Sequence, residues 1–195
     1  MVPFLSDNEI ERQAEHTREA ALAKRIPATF PFNAELTIEL LCNYSIDHRD
    51  ELPDGAEGAT SFDDRVVMFS SKITLESRRR FTAAHELGHV ILHEAHYAGQ
   101  HSQVMLFDAS EASDKTPLVQ DERAERQANA FASAILMPAK ALAEHYGTAA
   151  QTGEWIDPQR VARDFGVSLE AAKIRLEKLG FHQRSQAASG LFDRI

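Results

Sequence analysis

A chain of 195 residues, 43% apolar and 26% charged with nine glycines and seven prolines, holds enough material for one substantial core and too little for two full-sized domains. No apolar run approaches the roughly 20 residues that a membrane-spanning helix needs, and "MVPFLSDNEIERQAEH" lacks the basic start and apolar centre of a secretory signal, so a cytoplasmic location without membrane contact is expected. The formal charge of −9 argues against general affinity for nucleic acid, because phosphate binding rests on an excess of Lys and Arg.

Residues 7–25 read as a helix that Ser6 or Asp7 can cap, with Ile10, Ala14, Ala21 and Leu22 roughly on one face. "RIPATFPF" breaks it, and Asn33 can cap a second helix to about Leu41, with Leu36, Leu40 and Leu41 suited to core packing. Cys42, the single cysteine, cannot close an internal disulfide and is expected to serve as a small buried hydrophobe. From Tyr44 to Ser70 the pattern becomes short β-like pieces, "TSF" and "VVMF" flanking "DDR", which predicts a small antiparallel sheet.

The stretch from about Leu75 to Ala95 has no internal proline and keeps a helical apolar period, so it reads as the central helix. His85 and His89 are four residues apart, which puts both imidazoles on one helical face about 6 Å apart along the axis, close enough to share one ion at about 2.0 Å. Glu86 between them can reach a water beside the ion and act as general base, the zinc-hydrolase pattern H-E-x-x-H. The competing reading is a helix that carries surface histidines. His93 continues the spacing but lies about 12 Å from His85 along the axis, too far for one tetrahedral ion, so it is expected as a supporting neighbour.

Residues 96–119 read as a surface loop with one strand at "VMLF", and a further helix is expected over about Asp121–Leu136. That helix is the best source of a third ligand. Glu125 and Asn129 share a face, as Glu122 and Glu125 nearly do. The pair resembles zincins whose glutamate ligand is followed four residues later by an acidic or amide group that orients a ligand histidine. That resemblance implies Glu125 as ligand and the Asn129 carbonyl as the group fixing the tautomer of His85, with Glu122 as the alternative ligand. Pro138 can sit in the first turn of the next helix, and "TAAQTGEW" reads as a linker. Beyond it, "DPQRVARDFGVSLEAAKIRLEKLGF" gives two short helices capped by Asp157 and Ser168, similar to a helix-turn-helix. From Asp157 to Arg184 six basic residues face four acidic ones, a local +2, so any contact with DNA would be confined to this segment.

The blocks "RRRFTAAHELGHVILH" and "ERQANAFASAILMP" resemble the ImmA/IrrE family of zinc metallopeptidases, whose usual patterns are R-F-T-x-A-H-E-x-G-H-x-x-L-H and E-x-E-A-N-x-F-A-x-x-L-L-M-P. The resemblance spans about residues 36–180, and Gln127 departs from it where the family often has glutamate. It implies an α+β fold with a zincin-like metallopeptidase core over residues 1–154, a helix-turn-helix-like segment over 155–184 and a tail over 185–195. It further implies zinc held by His85, His89 and Glu125, with Glu86 as base, and a substrate that is itself a helix-turn-helix repressor. Manganese or iron would also suit two histidines and a carboxylate. The competing functions are a DNA-binding regulator and a metal-dependent stress sensor that acts without proteolysis. The small local charge weighs against direct DNA contact.

Overall fold

Helix α1 (Asp7–Ala23) opens with a reciprocal cap, in which the Glu9 amide donates to Ser6 Oγ and the Ser6 amide donates to the Glu9 carboxylate at 2.7 Å. The computed structural model describes residues 1–97, 104–107, 121–152 and 156–181. The buried face of α1 is Ile10, Ala14, Thr17 and Ala21, whereas Leu22, expected among them, is 59% exposed. Spacings of four, three and four keep one stripe, and Leu22 falls a further 100° round the helix.

Helix α2 (Ala34–Leu40) starts at the expected cap, with Asn33 Oδ1 accepting from the Leu36 amide at 2.9 Å. Its core face differs from the expected one. Ala34, Thr37 and Ile38 are buried while Leu40 is exposed, because Thr37 donates its hydroxyl back to the Asn33 carbonyl at 2.9 Å and so can enter the core without an unmet hydrogen bond.

The sheet is mixed, which corrects the antiparallel expectation. Strands β2 (Gly58–Ser61) and β3 (Val66–Ser70) form the expected hairpin around "DDR", but β1 (Ser45–Arg49) runs parallel to β3, in register from Ser45 beside Val66 to Arg49 beside Ser70. β4 (Val104–Phe107) comes from beyond the central helix and pairs antiparallel with β2, giving the order β1-β3-β2-β4. Alternation in a strand says which face is buried; it does not say which neighbour supplies the backbone bonds.

Helix α3 (Glu76–Tyr97) lies against β2 and packs most extensively on α4 (Glu122–Leu136), itself capped by Asp121. Leu87, Val90, Phe131, Ile135 and Leu136 fill the seam between them. Phe131, Leu136 and Met137 are fully buried, so they are core residues rather than a groove lining. Helix α5 (Ala139–Thr152) follows Pro138 and continues through most of the expected linker, since T-A-A-Q carries no helix breaker. Helices α6 (Pro158–Phe165) and α7 (Leu169–Lys178) begin at the expected caps Asp157 and Ser168. Arg175 on α7 is 1% exposed, donates to the Met137 carbonyl at 2.9 Å and grips the Glu11 carboxylate of α1 with both terminal nitrogens. That contact ties the C-terminal pair of helices to the first helix. The expected loop at 98–103 and 108–120, and the tail at 185–195, lie outside the described residues. No helix among the described residues is long and apolar enough to cross a membrane.

Candidate metal centre

Every residue of α3 from Thr82 to Val90 is buried, so the helix runs through the core rather than along its surface. His85, Glu86 and His89 are therefore inside, each 0% exposed, where a polar side chain without partners costs free energy. The reading of surface histidines does not describe this arrangement. Gly88 lets α4 come close: a Cβ there would sit 3.1 Å from the Ala128 Cα and 3.2 Å from its carbonyl oxygen. The close approach carries Glu125 to the histidine pair.

The three groups converge. His85 Nε2 and His89 Nε2 are 2.9 Å apart, and the Glu125 carboxylate oxygens lie 3.2 Å from each. The two distances run to different oxygens, Oε2 from His85 and Oε1 from His89, and each lies near the roughly 3.3 Å between two donors that share a tetrahedral ion at about 2.0 Å, so this triangle of groups is spaced for one ion. Two imidazole nitrogens and one carboxylate oxygen are the donor set of a zinc-type site, and these residues form a cluster able to hold a metal. Glu122, the alternative ligand, is 88% exposed and pairs with Arg126 across the helix surface.

The far ring nitrogens are also engaged. Asn129 lies on the same face of α4 as Glu125, and its Oδ1 accepts from His85 Nδ1 at 3.1 Å. His93 stands outside the triangle. Its Nδ1 is 3.0 Å from His89 Nδ1, and its Nε2 is 3.0 Å from Gln127 Oε1. Burial brings His85 and His93 down to about 4, which keeps both rings neutral. Burial acts the same way on His89, but hydrogen bonding to Glu125 and the charges of Glu125 and Glu86 outweigh it and raise that ring. Burial pushes the Glu125 carboxyl up, and the hydrogen bonds from His85 and His89 more than reverse this, holding it at about 2. The cluster thus draws positive charge to the point the three donors share.

Glu86 lies within electrostatic reach of His89 and Glu125 and also meets β2. Thr60 Oγ1 donates to Glu86 Oε2 at 2.6 Å, while Oε1 is a buried oxygen with no hydrogen-bond partner. Gly58 makes the room, since a Cβ there would stand 2.5 Å from Oε1 and 2.9 Å from Thr82 Cγ2. Desolvation raises the Glu86 carboxyl to about 7 despite the pull of His89 and the Thr60 bond.

Thr60, Gly58 and the Gln127–His93 contact escaped the sequence reading. Nothing in "GATS" marks a strand that will touch an active-site helix, and Gln127 registered only as a departure from a family pattern. Tyrosine and histidine side chains that could donate to a developing oxyanion have hydrogen bonds elsewhere. Tyr97 donates to Asp121 at 3.3 Å, Tyr146 donates to Asp164 at 2.7 Å, and His145 Nδ1 bonds the Ala141 carbonyl at 3.0 Å, while His101 lies outside the described residues. The arginine triplet is no loose patch either: Arg78 pairs with Glu57, Arg79 with Glu35 and Arg80 with Glu76.

Comparison with known proteins follows the same outline. A family model described as the IrrE N-terminal-like domain, Peptidase_M78, matches residues 46–177. No curated protein sequence matches the chain. Among solved structures, a Mycobacterium tuberculosis transcriptional regulator is similar in fold, with a TM-score of 0.54 at 21% identity over 92% of this chain and 49% of that one. The chain therefore spans about half the length of that structure, and the likeness concerns the fold alone.

Proposed function

The chain belongs to the Peptidase_M78 family, and from that premise we propose that it is a zinc-dependent metalloendopeptidase of the cytoplasm, with His85, His89 and Glu125 as ligands and Glu86 as general base. The observation that carries this reading is the convergence of three donors from two helices beside a buried carboxylate that has one oxygen unengaged. An ion held by His85, His89 and Glu125 would supply Lewis acidity toward water and a substrate carbonyl. Glu86 takes the proton at Oε1, while Thr60 holds Oε2, and then delivers that proton to the leaving amine. Burial holds the Glu86 carboxyl above the ordinary carboxylate range, which favours its keeping the proton until the amine takes it. Asn129 and His93 keep the two ligand rings turned so that each Nε2 faces the ion.

The proposed substrate is a helix-turn-helix repressor, an inference from the family resemblance. A role for residues 155–184 in reading DNA draws little from charge: Arg175 is buried on Glu11, Lys178 pairs with Asp7 at 3.0 Å, and Arg160 and Lys173 have acidic neighbours on their own helices. We propose that the segment packs as part of the protease body.

Zinc content and cleavage of a candidate repressor, measured for wild type and Glu86→Ala, test the assignment. The expected result is loss of cleavage with zinc retained. Equal cleavage by both proteins removes Glu86 from the reaction, and a wild type that takes up no divalent metal removes the metallopeptidase reading altogether.

A further inference from the structure

The N-terminal residues reach the ligand helix. The Val2 amide donates to Asp121 Oδ2 at 2.6 Å, Arg123 Nη1 donates to the Val2 carbonyl at 3.1 Å, and Gln127 Nε2 donates to the Pro3 carbonyl at 2.9 Å. Val2 is 1% exposed and Gln127 is 4% exposed; the Val2–Asp121 bond is buried, and the bonds to the Val2 and Pro3 carbonyls are half-buried. The same Gln127 side chain accepts from His93, which in turn contacts His89.

We propose that Pro3 and Gln127 are the far end of a one-way hydrogen-bond relay that fixes the tautomer of His93 and, through it, the ligand nitrogen of His89. The proposal rests on reading His85, His89 and Glu125 as the metal centre. Its logic is donor and acceptor inventory. A backbone carbonyl only accepts, so the Gln127 atom facing Pro3 is the amide nitrogen, and the atom facing His93 is the carbonyl oxygen. That oxygen also only accepts, so His93 carries its proton on Nε2. The neutral ring then offers a lone pair at Nδ1, and the nitrogen opposite it, His89 Nδ1, supplies the proton. With its proton on Nδ1, His89 presents the Nε2 lone pair to the ion. Four groups on three elements leave a single consistent assignment, and it starts at the Pro3 carbonyl, whose neighbour Val2 is held by Asp121 through its amide and by Arg123 through its carbonyl. Gln127 and His93 are positioning residues in this scheme, since neither touches the ion or the substrate.

The test uses the full chain and two substitutions that separate Gln127's two bonds. Gln127→Met removes both. Gln127→Glu keeps an acceptor for His93 and loses only the donor to Pro3. Zinc and cobalt affinities are measured by chelator competition, with the cobalt absorption spectrum as a report on ligand geometry. Nitrogen NMR of the histidine rings in metal-free protein at mildly alkaline pH shows which nitrogen of His93 carries the proton. The relay predicts Nε2 protonation of His93 in wild type. It also predicts a loss of roughly ten- to a hundredfold in metal affinity for Gln127→Met, the usual cost of losing a partner that orients a ligand. Gln127→Glu should stay close to wild type. Equal losses in the two variants would show that only the Pro3 bond counts and would overturn the relay, as would unchanged affinity in Gln127→Met or a proton on His93 Nδ1. The tautomer measurement needs neither metal nor the variants. If wild type binds no ion, the metal-centre reading fails while the relay is still decided, and the same spectrum decides it if Gln127→Met does not fold.

Discussion

Glu86→Gln should stabilise the metal-stripped protein, and by more as the pH rises. The wild-type carboxyl is wholly buried and raised by desolvation from 4.5 to about 7. A folded pKa above the unfolded one means that the stability contribution is complete below about 4.5 and is lost as pH climbs through 7. The gap of about 2.5 units, at 1.36 kcal/mol each, amounts to about 3 kcal/mol by pH 8, most of it lost between pH 5 and pH 8. Glutamine does not ionise, and its side-chain oxygen can still accept from Thr60, so it escapes this loss. The assay is denaturant unfolding of both metal-stripped proteins from pH 5 to pH 8, reading the difference in unfolding free energy. The expected difference grows by about 2 kcal/mol across that range, slightly damped because Glu86 also helps to raise His89. Any fixed cost of burying the new amide shifts the whole series and leaves its slope unchanged. A flat difference would refute the reasoning, because it would mean that Glu86 ionises as an exposed carboxylate does. Zinc should shrink the difference, since a cation beside Glu86 favours its charged form.

Thr60→Val removes a hydrogen bond to a charged base, worth roughly 1.5–3 kcal/mol, and should lower kcat about ten- to a hundredfold with zinc content unchanged, while Thr60→Ser restores most of the rate. Glu125→Gln should cost the bound metal and Glu122→Gln should not; metal analysis of the two purified variants reads this directly, and the reverse pattern would move the third ligand to Glu122. Gly88→Ala should weaken the protein by about 1–2 kcal/mol in denaturant unfolding, because the new Cβ meets the α4 backbone, and an increase in stability would mean that the seam is looser than 3.1 Å implies. Arg175→Leu leaves the Glu11 carboxylate without its buried partner and should destabilise by about 2–3 kcal/mol, less than for a fully buried pair because Glu11 keeps some exposure. DNA retardation by the wild-type chain that vanishes in this variant would instead mark α7 as a nucleic-acid reader.

The site was more legible in the sequence than the sheet was. His85 and His89 belong together through the helix repeat, and Glu125 and Asn129 through the same repeat on another helix, so each pair is a local fact that survives any tertiary arrangement. What joins the pairs is not local. Gly88 sets the distance between α3 and α4; the family resemblance implies that a neighbouring backbone comes close there, but that it is α4 at Ala128 appears only in the fold. The parallel β1–β3 pairing and the place of β4 beside β2 depend on where connections cross, which alternation does not encode. Leu40 and Leu22 misled because hydrophobicity suggested an inward position, whereas Thr37 and Thr17 could be buried once their hydroxyls turned back on the helix.

The buried polar groups around α3 support the proposed site. Asn129 satisfies the far side of His85, the Gln127–His93 pair satisfies the far side of His89, and Thr60 satisfies one oxygen of Glu86. Glu86 Oε1 is one of two buried side-chain polar atoms without a hydrogen-bond partner among the described residues, the other being Tyr44 Oη. Each supporting bond turns a functional atom away from the groups that could quench it: two imidazole nitrogens and a carboxylate toward one point, and a second carboxylate oxygen beside Gly58. A core under selection for stability alone would replace such groups with apolar residues, because a carboxylate that titrates near 7 costs free energy at neutral pH. Retaining that cost together with the partners that orient it is what a preorganised site requires. On the proposed mechanism, the base therefore depends on Thr60, a small residue on a short strand, as well as on its place in the histidine repeat of α3.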